Sequence, residues 1–323
     1  MYQVRPLSLP DDYHRLAEIL SCGRPEPITV ADLQEDDSKI PPPPATVRCD
    51  DQGRLVSHCR DRFAAIDETG RMVGYADAWR APWTTPGEMI CSAVVDPAHR
   101  GRGAGRMLLD RVESTAREKG AAYIKAALKD SDPAALACVT GRGYTIDRHL
   151  FQSTLDPDAF DPAPFTTEAA GIRFFTLADE PGEATEHKLY ELERVSQRDN
   201  PGSPGELMPY DQWRLWVLES ARVLPELFLF AADGDRLVGT TYMHTVEGGG
   251  LHTIYTGVDP AYRGRGIALA LKVRAVAAAR RHGAPYMRTD NDSQNGPMLA
   301  VNRKMGYRPL PGDYIVIKRL KQQ

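Results

Sequence analysis

Two short stretches of this chain have the residue types and spacing that could hold a phosphate group. Val95-Asp96-Pro97-Ala98-His99-Arg100-Gly101-Arg102-Gly103-Ala104-Gly105 returns as Val258-Asp259-Pro260-Ala261-Tyr262-Arg263-Gly264-Arg265-Gly266-Ile267-Ala268, 163 residues further on. In each copy a strand-like run (90–95, 254–258) stops at Asp-Pro, glycines follow, and an Arg-rich pattern with apolar residues at helical spacing begins. Glycine lets successive backbone N–H groups turn toward one point at a helix N-terminus, where the macrodipole favours an anion. The same residues without a ligand would make a tight strand-to-helix turn, so the surroundings of each copy have to separate the two readings.

Those surroundings are duplicated as well. Gly143-Tyr144 and Gly306-Tyr307 are also 163 residues apart, each closing a helical stretch (133–142, 297–305) where a C-cap glycine is expected. The period far exceeds the roughly 20–50 residues of solenoid repeats, which makes this a duplicated domain. A chain of 323 residues suits two such domains. We place them at 1–155 and 168–323, joined by an Asp- and Pro-rich linker at 156–167. Each half reads as helix, β-hairpin, strand, glycine loop, long helix, strand and short helix, with a polyproline loop at 41–44 and a last strand at 314–318. That order predicts an α+β fold, a mixed and mostly antiparallel sheet flanked by helices.

A formal charge of −4 and 26% charged residues argue against a general nucleic-acid binder. No run of 18 apolar residues occurs, and residues 1–10 lack a basic-then-apolar leader, so a cytoplasmic protein without membrane contact is expected. The five cysteines are scattered, with no CxxC pair and no Cys/His cluster at zinc spacing. Reduced structural thiols and no metal are expected.

Placed in this context, the loops resemble the Gln/Arg-x-x-Gly-x-Gly/Ala signature of the GCN5-related N-acetyltransferase (GNAT) family, as Arg100-x-x-Gly103-x-Gly105 and Arg263-x-x-Gly266-x-Ala268. The resemblance covers nearly the whole chain and implies two tandem acyl-CoA N-acyltransferase domains with acetyl-CoA as cofactor. Its pyrophosphate would lie on the amides of Arg263, Gly264, Arg265, Gly266, Ile267 and Ala268. The weaker counterpart in the first half would use Arg100, Gly101, Gly103 and Gly105. Pantetheine would run along the strands that end at Val258 and Val95, where two parallel strands splay. The tandem plan is similar to mycothiol synthase and to a broader group of bacterial double-domain acyltransferases.

The two halves differ around the loop. Asn291, Asn295 and Asn302 offer amide groups to the cofactor in the second half, and the same offset meets Leu128, Asp132 and Val139 in the first. The first half is therefore expected to be a scaffold and the second to carry chemistry. Many family members place a tyrosine acid where this chain has Asn302 and Val139, so that acid is missing from both halves; Tyr255 could substitute if an acid is needed, and coenzyme A thiolate is stable enough to leave without one. Family glutamates that deprotonate the amine align with His252, whose ordinary pKa suits a base, and with Met89 in the first half. Simple alternation puts His252 and Tyr255 on opposite faces unless a bulge intervenes; the family has one in this strand, and Gly257 would tolerate it. His244 is a rival base. Asp199 and Glu206 could recognise an ammonium, and Trp213 and Trp216 could wall an enclosed acceptor pocket.

The expected protein is an acetyl-CoA-dependent N-acetyltransferase that acts directly on a small-molecule primary amine, as a monomer or homodimer. The backbone amide at Val258 would polarise the thioester. Mycothiol synthase-like, antibiotic or amino-sugar acetylation are narrower variants. Protein acetylation and a non-catalytic acyl-CoA-binding regulator are the alternatives from other classes.

Overall fold

The computed structural model describes residues 2–22, 27–39, 46–81, 84–201, 203, 207–219 and 222–320. The polyproline loop at 41–44 and Glu206 lie outside them. The elements are β1 (Gln3–Pro6), α1 (Tyr13–Ser21), α2 (Val30–Lys39), β2 (Cys59–Ile66), β3 (Met72–Arg80), β4 (Glu88–Val95), α3 (Ala104–Glu118), β5 (Tyr123–Lys129), α4 (Pro133–Thr140) and β6 (Thr145–Leu155). They continue as β7 (Arg173–Thr176), α5 (Glu183–Ser196), α6 (Tyr210–Val217), β8 (Val223–Asp233), β9 (Arg236–Thr245), β10 (Leu251–Val258), α7 (Ile267–His282), β11 (Met287–Asp292), α8 (Gly296–Lys304) and β12 (Arg308–Arg319). Among the described residues no helix is long and apolar enough to cross a membrane.

Two compact units form. The first comprises the chain up to Leu128, Asp132–Asp147 and the segment from Ile315 onward. Its strand order is β1-β2-β3-β4-β5-β12, antiparallel through β4 and parallel between β4 and β5. Leu108, Val112 and Ala116, one turn apart on α3, are fully buried on that sheet. Lys318 fixes the returning segment by an ion pair with the buried Glu113 (2.6 Å), which also accepts from Arg142 (3.0 Å).

The second unit holds Lys129–Ser131 and Arg148–Tyr314, with strand order β6-β11-β10-β9-β8-β7. Helix α7 buries alanines and β-branched residues (Ile267, Val273, Ala275, Val276, Ala279) against it in one apolar core with Val238, Met243, Leu251 and Met287. On the other face α5 and α6 cover Phe228, Phe230 and Tyr242. Each unit is thus a mixed sheet between helices, as the element order predicts.

The units do not coincide with a cut at residue 155. Residues 150–155 pair antiparallel with Met287–Asp292 inside the second unit, and the segment from Ile315 onward completes the first. β6 and β12 occupy the same place in the repeat, because 145–155 and 308–318 differ by 163 residues. Their alternation patterns fit either sheet, so side-chain periodicity carries no information on which one each joins.

Candidate active site

The two glycine loops share one backbone shape. Asp96 and Asp259 both have φ −48°, each accepts from the N–H two residues on (Ala98, Ala261), and each begins a short 3₁₀ turn. Gly103 (φ 98°) and Gly266 (φ 80°) then cap α3 and α7 in the left-handed region, with no side chain satisfying the first helical amides. A Cβ at Gly264 or Gly266 would meet no protein atom within 4 Å. The space is the floor of a cavity of about 600 Å³. It runs from the α7 N-terminus past Thr256–Val258, between the end of α5 (Ser196, Asp199) and the start of α8 (Asn295, Met298). Free amides, a helix N-terminus and an open cradle that side chains would fill are a fit for the pyrophosphate of acetyl-CoA.

Beside the loop, β10 leaves its parallel neighbour. Pairing with β11 covers Leu251↔Met287, His252↔Arg288 and Thr253↔Thr289 and then stops. Asp259 N–H bonds the Val238 carbonyl (2.9 Å), which makes Val258↔Gly239 a non-hydrogen-bonded pair. The N–H and C=O of Val258, and of Thr256 two residues earlier, therefore face away from β9 into the splay. Arg263 occupies the Val258 carbonyl through Nε (3.2 Å) and ties the loop to α5 through the Ser196 carbonyl (3.2 Å) and Asp199 (2.6 Å). Among the described residues Arg100 makes only the contact to Val95 (3.1 Å), so the first loop lacks this clasp there.

The pairing of β10 with β9 slips between Thr253 and Tyr255, leaving Ile254 as a one-residue bulge. The bulge lies at Ile254, three residues before the glycine expected to tolerate one. It puts His252, paired with His244, and Tyr255, paired with Tyr242, on the same face, toward α5 and α6. In the first unit β3 and β4 pair without a slip from Gly74↔Val95 to Trp79↔Ile90, and Met89 is fully buried.

On that face Tyr255 lies over Gly257: a Cβ there would be 2.5 Å from the Tyr255 ring and 2.7 Å from Ser196 Oγ. Ser196 gives its only proton to the Leu192 carbonyl (2.7 Å), so Tyr255 donates to Ser196 Oγ (2.7 Å). Burial pushes the Tyr255 phenol far up, which keeps it a proton donor. His252 Nε2 is buried, 3.0 Å from Asp290 Oδ2 and off the line of a hydrogen bond. His244 is held neutral by burial, against the carbonyl of Val217, which favours its charged form.

Sequence reasoning missed Glu193, a fully buried carboxyl on α5. Its Oε2 accepts from Trp213 Nε1 (3.0 Å), and Tyr242 donates to it as well. Burial raises its pKa to about 7, with these donors opposing. The signal was available only in three dimensions, since Glu193 stands on the α5 face that buries Leu189 and Leu192. A folded-state pKa above the ordinary 4.5 means the folded form binds the proton more tightly, so stability is lost as pH rises from about 4.5 to 7. Glu193→Gln removes about 3 kcal/mol of that decline. Urea midpoints of both proteins at pH 4.5 and 7.5 measure it, and parallel pH dependence would contradict the assignment.

Other expected residues stand elsewhere than anticipated. Trp213 is 1% exposed in the core, hydrogen-bonded to Glu193, and forms no acceptor wall, while Trp216 is 61% exposed. Asp199 lines the cavity, yet its carboxylate is engaged by Arg263. Asn291 and Asn302 are buried behind the cleft: Asn302 Nδ2 donates to Asn291 Oδ1 (2.7 Å), and Asn291 Nδ2 donates to Ser153 Oγ (2.9 Å). Only Asn295 of the three lines the cavity, and it caps α8 at Met298 (3.3 Å), as Asp132 caps α4. Gly264, Gly266, Ile267, Ala268 and Arg263 line the cavity; Arg265 turns its guanidinium over the Tyr262 ring.

The profile of the acetyltransferase (GNAT) family matches residues 23–144 and 187–307. The chain belongs to this family and is an acyltransferase that uses acetyl-CoA. It is 30% identical to a mycothiol acetyltransferase of Corynebacterium efficiens over 253 residues, 75% of this chain and 76% of that protein. It is likewise 30% identical to one of Thermomonospora curvata, over 77% and 79% of the two chains. The fold matches a GCN5-related N-acetyltransferase of Sphaerobacter thermophilus at a TM-score of 0.68 with 22% identity, covering 98% of this chain and 95% of that one. A tandem GNAT protein from the clavulanic acid biosynthesis pathway matches at 0.67 with 20% identity, over 99% and 98%.

Proposed function

We propose that the second unit carries the chemistry and that the acceptor is the primary amine of a small molecule. The observation that carries this reading is the bulge at Ile254. It brings a potential base, His252, and a protonated phenol, Tyr255, to one face of the strand that borders the cofactor cavity. In the first unit the same places hold Met89 and Ser92, with Ser92 donating to Asp77 (2.6 Å). Acetyl-CoA, when bound, would supply the acetyl group of its thioester to the amine, a C–N bond forming as the C–S bond breaks, with coenzyme A released as the thiol.

The residues divide the remaining work. The amides after Gly264 and Gly266 would hold the pyrophosphate, and the N–H of Val258, turned into the splay, would polarise the thioester carbonyl. An alkylammonium is mostly charged at pH 7, and His252 takes one of its protons. Tyr255, kept protonated by burial and held by Ser196, would give its proton to the coenzyme A sulfur as the C–S bond breaks, and the second proton lost by the amine nitrogen would restore the phenol. The relatives' names favour a narrower reading, mycothiol acetyltransferase activity.

Native mass spectrometry with acetyl-CoA tests the location. One equivalent is expected, lost in Gly266→Glu, whose side chain would fill the cradle from a backbone position at φ 80°. Retention of the ligand by that variant would move the site to the first unit. Thiol release with a panel of glucosamine, cysteamine, spermidine and the amine precursor of mycothiol then tests the acceptor class. Turnover of peptides alone would refute it, and binding without amine-stimulated release would leave an acyl-CoA-binding regulator.

A further inference from the structure

We infer that Asp290 is a positioning residue for His252, a reading that rests on the proposed role of His252 as base. Asp290 is the first residue of β11 beyond the last pair with β10, Thr253↔Thr289, so its carboxylate stands where the two strands part. From there Oδ2 reaches back to His252 Nε2 (3.0 Å), while Oδ1 accepts from Gln152 Nε2 (3.1 Å) on β6. The carboxylate is thus held from the side away from the histidine. Asp290 pairs with Gln152, and His252 with Arg288 and His244, which places Gln152, Asp290, His252 and His244 on the α5–α6 face of four adjacent strands, the Gln152–Asp290 pair two residues along from the row of His252.

The other charged groups of this row point elsewhere. Arg288 lies over the Tyr286 ring at 4.7 Å, and the His244 ring is fixed by the Val217 carbonyl. In the first unit the register Glu88↔Tyr123 puts Met89 and Ala126 at the places of His252 and Asp290, so neither half of the pair survives there.

The arrangement has a direct chemical use. With Nε2 buried and facing Asp290, only Nδ1 of His252 is left to meet a substrate. A carboxylate that accepts the Nε2 proton keeps the lone pair on Nδ1 and stabilises the cation formed when Nδ1 is protonated. In the transfer an ammonium N–H bond breaks, its electron pair stays on the amine nitrogen, and the proton forms the Nδ1–H bond. His252 later returns that proton to water. Nε2 and Oδ2 already stand at hydrogen-bond distance in the free protein, and rotation of the exposed Asp290 carboxylate is enough to bring them onto the line of a bond.

Proton and nitrogen NMR of the full-length chain with ¹⁵N-labelled histidine tests the inference without an acceptor. The wild-type protein is expected to show a slowly exchanging Nε2–H resonance that disappears in His252→Gln, which assigns it, and in Asp290→Ala. Asp290→Glu is expected to restore it. The Asp290 side chain is 67% exposed, so the alanine variant leaves the core untouched, and the His149–Asp130 pair (3.0 Å) reports that the second unit is folded. A resonance unchanged in Asp290→Ala would overturn the inference. For amines of the panel that turn over, Asp290→Ala is expected to lower kcat by about tenfold at constant acetyl-CoA KM. A rise in the amine KM alone would make Asp290 an ammonium anchor and equally overturn it. Acetyl transfer that survives in His252→Gln would instead refute the base role itself, separately from the contact.

Discussion

Lys272→Met is expected to stabilise the protein at pH 7 by about 3 kcal/mol, with acetyl-CoA binding unchanged. Lys272 is 2% exposed in the middle of α7, against a core of aliphatic residues. Its Nζ lies 4.9 Å from the Tyr307 ring and has no carboxylate partner among the described residues. Burial lowers its pKa from 10.5 to about 8. The sign follows from the two states. Below pH 8 the amine is charged in both, and folding bears the full cost of desolvating it. Between about 8 and 10.5 the unfolded chain binds more protons, so stability is regained as pH rises and lost again as pH falls through 8. Methionine matches the length without the charge. Urea unfolding at pH 7 and pH 10 measures both proteins. The gap between them narrows at high pH if the cost is electrostatic, and a gap independent of pH would refute this account.

The second large effect is on activity. Gly257→Ala is expected to lower kcat by about 100-fold while acetyl-CoA binding persists. The new methyl would stand 2.5 Å from the Tyr255 ring, 2.6 Å from its hydroxyl and 2.7 Å from Ser196 Oγ, distances that only displacement of the ring relieves. Movement of the ring by an ångström takes the phenol from its Ser196 acceptor, which lines the cavity. The loop amides proposed to hold the pyrophosphate lie beyond Val258 and are not touched. Amine-stimulated thiol release and native mass spectrometry separate the two effects. Activity close to wild type would show that Tyr255 takes no part in the reaction. The first unit has Val94 at this place and Ser92 in place of the tyrosine, a combination that dispenses with the close approach.

The sequence spoke most clearly where a residue type has one physical reason. Gly103 and Gly266 cap helices in the left-handed region because the strand must turn into a helix with its amides bare, and that need was visible in the spacing alone. Alternation on β10 showed that His252 and Tyr255 could share a cleft only through a bulge, but its place at Ile254 is set by tertiary pairing with β9. Buried polar groups were the least legible. An asparagine on a helix reads alike whether it faces a ligand or, as Asn302 does, another buried asparagine. Trp213 read as a pocket wall because amphipathicity shows a buried face without showing what lies under it. The segments 3–6, 30–39, 145–155 and 173–176 escaped notice: two of them are four-residue strands, and 30–39 has few apolar residues to set a period.

The placing of residues from Ile315 onward in the first unit is also a statement about time. The rest of that unit is complete by residue 147, yet the strand that covers the edge of β5 is translated only after residues 148–314. At about 5–20 residues per second, the nascent chain carries an open sheet edge for roughly 10 to 30 s. An unpaired edge is where β-proteins associate wrongly. The first unit therefore begins folding first and finishes last, and its yield in the cell depends on how the edge is shielded while the second is being made.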